Sequence, residues 1–223
     1  MKNKIPDRPR FSAVSQCAWE VIKHFGFHHY PIDVSAIYKA SPIVVSTYQH
    51  FAARAGLTLD KYIDVVGAKD GFSIYDKNKN KYVVAFNTQN MTKRRIRWTL
   101  AHELGHIVLN HFDEFEDTRL SQTGLTEEEY GVLDVEANVF ASELLCSPAM
   151  VGLLPERERN TDYISNLFFI SKQAAQPGHI GLLNSCFLQY LFLGEDLFPG
   201  SVSQYLAVGH DNDTLEILRH EIH

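Results

Sequence analysis

The sequence predicts a mainly helical α+β protein. Three observations carry that reading. Apolar side chains recur at helical spacing over 12–25, 93–111 and 127–145. Two β-rich runs, 72–75 and 82–86, flank the polar stretch 76–81, the pattern of a single hairpin. With 45% hydrophobic and 22% charged residues in 223, the composition is that of a soluble globular chain long enough to bury a core.

The elements follow in order. Residues 1–10 are polar, carry two prolines, and read as a flexible N-terminus. Val14, Ala18, Val21, Ile22 and Phe25 share one helix face, and Gly26 can end that helix. Pro31-Ile32-Asp33-Val34 opens a second helix, with Ile37 and Tyr38 on its inner side. Residues 46–60 suggest a further short helix broken near Gly56. The hairpin leads directly into the helix at 93–111. An acidic loop, 112–126, precedes Thr126-Glu127-Glu128-Glu129, a capping box that opens the helix running to Leu145. Residues 162–186 read as two helices around a turn at Ile170-Ser171, and the tail has β-like pieces at 205–208 and 215–218.

The chemistry concentrates at His102-Glu103-Leu104-Gly105-His106. This is H-E-x-x-H inside a helix, which puts two imidazoles on one face where they can converge on one ion. With His102 at zero and about 100° per residue, His106 falls near ~40° and Glu103 near ~100°. Ile96, Leu100, Ala101, Leu104, Ile107 and Val108 fall between about 120° and 260°, opposite the polar triplet. Glu103 is placed to take a proton from a metal-bound water, the work of a general base in a zinc peptidase.

Catalytic zinc usually has three protein ligands. The helix 127–145 offers Asp134, Glu136 and Glu143. Phased from Glu136, its apolar residues cover about 40° to 180°. Asp134 falls near ~160°, inside that arc, Glu136 at its edge, and Glu143 outside it near ~340°. A buried carboxylate needs a partner, and a metal is one. Asp134 is therefore the expected third ligand, with Glu136 as the alternative and an ionic contact from Asp134 to Arg95 or Arg97 as the plain structural reading. Asn138, one turn after Asp134, can hydrogen-bond a ligand histidine. His111 reads as a solvent-facing or helix-end histidine.

Taken together, Arg95-Ile96-Arg97-Trp98-Thr99-Leu100-Ala101-His102-Glu103-Leu104-Gly105-His106 and Asp134-Val135-Glu136-Ala137-Asn138-Val139-Phe140-Ala141 resemble the two signature blocks of the ImmA/IrrE metallopeptidases. Pro31-Ile32-Asp33-Val34 and Phe169-Ile170-Ser171-Lys172-Gln173-Ala174-Ala175 are similar to further segments of that family, so the resemblance spans roughly 12–186. It implies a zincin-like metallopeptidase domain over 11–150, a helix-turn-helix-like helical region over 151–187, and a C-terminal extension over 188–223. It also implies Zn²⁺ as cofactor and a helix-turn-helix repressor of a phage, mobile element or stress regulon as the protein substrate. Two departures stand out. Asp134 occupies the place of the family's Glu, one methylene shorter. Gln176-Pro177-Gly178-His179 interrupts what would be a second recognition helix.

The expected activity is zinc-dependent endopeptidase cleavage of that repressor, releasing gene expression. The alternative is a non-catalytic zinc-containing regulator that binds a repressor or DNA. Retention of Glu103, which a structural zinc site does not need, favours the enzyme. A strand at 82–86 is expected to pair with extended substrate, and His179, Tyr130 and Arg97 are candidates to stabilise the oxyanion.

Bulk properties narrow the partners. A net charge of −6 argues against direct DNA binding, whose footprint would be basic, and Lys172 stands alone as a cation between 162 and 186. No apolar run approaches the ~20 residues of a membrane span. Cys17, Cys146 and Cys186 form no C-x-x-C pair, and the N-terminus lacks a signal-peptide core. A reduced, cytoplasmic protein is the expectation.

Overall fold

The computed structural model describes residues 5–112 and 126–176. Helix α1 (Phe11–His24) buries the face carrying Val14, Cys17, Ala18, Val21 and Ile22. Gly26, at φ +64°, takes the left-handed conformation just beyond it. Asp33 caps α2 (Val34–Lys39) by accepting from Ala36 N, and Tyr38 donates from its hydroxyl to Leu100 O at 2.7 Å. Helices α3 (Tyr48–Arg54) and α4 (Leu59–Val66) flank the break at Gly56.

The expected hairpin is β2 (Gly71–Asp76) with β3 (Lys81–Phe86), antiparallel, with Ser73 opposite Val84. The sequence reading missed a strand. Val44–Thr47 forms β1, parallel to β3, so the sheet order is β1-β3-β2. A four-residue strand whose partner lies far along the chain has no turn beside it to announce it. The consequence is functional. β3 is the central strand with both edges occupied, so 82–86 is not free to receive a substrate, and β2 is an edge strand among the described residues.

Helix α5 (Lys93–Val108) starts at the Thr92 cap, and α6 (Glu127–Cys146) starts at the expected capping box between Thr126 and Glu129. α5 packs on β2, β3, α2 and α6, and α6 packs on both α5 and α1. Two glycines permit the closest approaches. A Cβ on Gly105 would lie 3.1 Å from Phe140 Cδ1 and 3.2 Å from the Ala137 backbone. A Cβ on Gly71 would lie 2.5 Å from Thr99 Cγ2 and 3.2 Å from Ala85 O. Without side chains there, α6 and β2 both close on the segment of α5 that carries the histidines.

After α6 come α7 (Pro148–Gly152), a 3₁₀ turn at Glu156–Glu158 and α8 (Thr161–Leu167). The first of the two helices expected in 162–186 is therefore α8. The greater part of the second, Cys186, His179 and the tail pieces at 205–208 and 215–218 lie outside the described residues. No described helix is long and apolar enough to cross a membrane.

Candidate metal centre

His102 and His106 sit one turn apart on α5, and Asp134 comes from α6. One ligand atom from each lies within 4.8 Å of the other two. The closest approach is between the two Nε2 atoms, 3.1 Å apart, and Asp134 Oδ1 lies 3.5 Å from His102 Nε2.

The outer partners decide which nitrogens carry protons. Asn138 Nδ2 donates to Asp134 Oδ2 at 3.0 Å, because a carboxylate can only accept. That turns Asn138 Oδ1 toward His102 Nδ1 at 3.1 Å, so His102 Nδ1–H donates. Similarly, His111 Nε2 donates to Glu136 Oε2 at 3.0 Å. The neutral ring then presents an acceptor Nδ1 to His106, 2.8 Å away, and His106 Nδ1–H donates to it. Both Nε2 atoms are left bare and face each other beside a carboxylate oxygen. Three lone-pair donors converging without a proton between them are the donor set of a cation. Imidazole nitrogens and a carboxylate are the ligand types that zinc takes, so His102, His106 and Asp134 are the residues that would hold such an ion.

Residues 62–176, just over half of the chain, match the peptidase M78 family, described as the IrrE N-terminal-like domain. The chain belongs to this family. Among curated proteins no match is found. The matched segment contains the H-E-x-x-H helix and Asp134.

Glu103 follows His102 on α5. It is buried, and its Oε2 accepts from Ser73 Oγ at 2.6 Å. Burial raises its carboxyl above the ordinary 4.5; His102 and the Ser73 bond oppose that rise and Asp134 adds to it. A carboxyl shifted upward is a stronger base when ionised. Ser73 escaped the sequence reading. Only the β2–α5 contact reveals it, and a serine in a strand carries no signal of its own.

The structure corrects the assignments made from the phase of α6. Asp134 is the acid that lies with His102 and His106 in a group able to hold a metal, but its side chain is 39% exposed instead of buried. Glu136, the alternative ligand, is fully buried and absent from that group. It accepts from Arg10 N at 2.6 Å, Arg10 Nε at 2.9 Å and Arg10 Nη2 at 2.8 Å, besides His111. Burial alone would raise its pKa; the bonds from His111 and Arg10 outweigh that and pull it down to about 2. Glu143 is buried too, not outside the packed face. With α5 and α1 both packed against α6, that helix has no single polar side for phase to find.

Other readings change as well. His111 lies at the end of α5, its backbone N–H donating to His106 O at 3.1 Å, but it is 0% exposed and not solvent-facing. Burial pulls its pKa down while Glu136 works against that. His106 is held well below 6.5 by burial and by its neighbours His102 and His111. Arg95 pairs with Asp70, and Arg97 donates to Phe168 O, Phe169 O and Ile32 O, so neither contacts Asp134. Those three carbonyls make Arg97 a clamp between α5 and the segment after α8 and remove it as an oxyanion donor. A cleft at the N-terminal end of α5, lined by Asp64, Lys69, Asn87 and Met91 among others, contains none of the ligands.

Proposed function

We propose that the chain is a zinc-dependent endopeptidase that cleaves a helix-turn-helix transcriptional repressor. The observation that carries the reading is the pair of bare Nε2 atoms beside Asp134, with the buried Glu103 next in sequence to one of them and held by Ser73. His102, His106 and Asp134 would hold the ion, Asn138 would fix the His102 tautomer, and bound zinc would supply a Lewis acid and a water acidic enough to act at neutral pH. Glu103 accepts the proton of the attacking water and passes it to the nitrogen of the scissile amide, so that the amine leaves neutral.

Of the two edge strands among the described residues, β1 and β2, the one that touches Glu103 is β2, and its edge would receive an extended substrate. Its pairing groups lie beside Ser73, within reach of Glu103, and substrate added there would run antiparallel or parallel to β2 as a fourth strand. The family's peptidase character supports hydrolysis. The resemblance to ImmA/IrrE proteins supports a repressor as substrate and a cytoplasmic site of action. The rival, a regulator that binds without cutting, leaves a buried Glu103 beside the ligands without a task.

The experiment is incubation of the zinc-loaded protein with a helix-turn-helix repressor from the same genome, followed by intact-mass analysis. Two fragments whose masses sum to the repressor plus one water are expected, and none after chelation. Persistent intact repressor bound in a stable complex would favour the rival.

A further inference from the structure

A line of four side chains joins the segment before α1 to a metal ligand. Arg10 grips Glu136 through its backbone N–H and its guanidinium, Glu136 accepts from His111, and His111 accepts from His106. Glu136, His111 and His106 are all nearly or fully buried, so bulk water does not substitute for a missing partner in this line. The direction of every bond is set by its carboxylate end. The carboxylate accepts, His111 must therefore donate from Nε2, and His106 must donate from Nδ1.

The geometry assigns Arg10 as a positioning residue of the metal centre: through Glu136 and His111 it holds His106 with Nε2 bare and aimed at the ion. This rests on the metal reading above. Arg10 uses a planar fork on a planar carboxylate, and its own main chain binds the same oxygen as its Nε. Both contacts fix the plane in which Glu136 meets His111. Partners of this kind orient a ligand imidazole and raise its basicity, and their loss typically weakens metal binding by ~10–100-fold. Arg10 lies outside the matched residues 62–176. The centre would thus depend on a residue that the family segment does not contain.

The test uses the full chain with Arg10→Gln, Arg10→Lys and Glu136→Gln, and with Arg8→Gln as a control that removes a nearby charge. Zinc affinity is measured by competition with a chromogenic chelator, and geometry by the visible spectrum of the cobalt-substituted protein. Arg10→Gln and Glu136→Gln are expected to weaken zinc ~10–100-fold and to shift the cobalt bands. Arg10→Lys should recover part of the loss, and Arg8→Gln should match the parent. Should Arg10→Gln fail to fold, the isosteric Glu136→Gln reads the same line. Variants that melt earlier without metal but keep the parent's zinc affinity and cobalt spectrum would overturn the assignment and leave the metal reading standing. A parent that binds neither ion would overturn both.

Discussion

Ser73 Oγ donates to Glu103 Oε2 at 2.6 Å, tying the edge strand of the sheet to the base of the candidate site. The bond fixes one carboxylate oxygen from the β2 side of the helix. Ser73→Ala should leave zinc bound and lower kcat/KM by ~10–150-fold, since a hydrogen bond to a charged group contributes ~1.5–3 kcal/mol. Ser73→Thr, which keeps the hydroxyl, should restore most of the rate. Steady-state kinetics on a fluorogenic repressor peptide reads both, and an unchanged rate in Ser73→Ala would remove Ser73 from the site.

Asp134 and Glu136 are two residues apart and are predicted to fail differently. Asp134→Ala removes a ligand and should reduce zinc affinity by more than the ~10–100-fold expected of an outer partner. Glu136→Leu should also destabilise the metal-free fold. Taking one partner from a fully buried ion pair costs ~3–5 kcal/mol, and the loss here should be smaller because the Arg10 side chain left behind is 29% exposed. Chelator competition and urea unfolding of the metal-free protein separate the two effects. Loss of stability without loss of zinc in Asp134→Ala would make Asp134 a structural residue.

Much of this architecture is legible in the sequence, and the illegible parts share a cause. H-E-x-x-H in a helix specifies its own geometry, because two imidazoles four residues apart must share a face. The hairpin and the Thr126 capping box are similarly local, and both are present. β1, Ser73, Arg10 and the burial of His111 depend on which distant segment packs where. Glu136 and Glu143 show the limit most plainly. The phase of one helix can rank its faces, but it cannot say that two neighbours cover α6 and leave Asp134 at the opening.

Gly105 lies between His102 and His106 in sequence and faces Ala137 and Phe140 across the α5–α6 contact. Gly105→Val should force the helices apart. Overpacking of this kind costs about 1–3 kcal/mol, and the displacement of Asp134 from the histidines should weaken zinc as well. Urea denaturation midpoints and zinc titration measure the two. A variant equal to the parent in both would mean that the interface can yield.

Glu143 offers a pH-dependent prediction remote from the metal. Ser15 Oγ donates to its Oε1 at 3.2 Å, while the Ser147 hydroxyl lies close by without reaching hydrogen-bond geometry to Oε2. Burial raises its carboxyl above 4.5, with the Ser147 and Ser15 hydroxyls opposing. A folded pKa above the unfolded value means that its contribution to stability is complete below 4.5 and is lost as pH rises through the folded value. Glu143→Gln cannot ionise, so its stability relative to the parent should increase between about pH 5 and about pH 8. Urea unfolding at both values tests the sign. A constant difference would show that the carboxyl is unperturbed in the fold.

The most direct measurement pairs metal content with cleavage in Glu103→Gln. The substitution keeps the shape of the side chain, keeps a hydrogen-bond acceptor for Ser73, and leaves His102, His106 and Asp134 untouched. The protein should carry the parent's zinc while cleaving the repressor ~10²–10⁴-fold more slowly, the usual loss when a general base is removed. Cleavage at the parent's rate by the zinc-loaded Glu103→Gln protein would contradict the account.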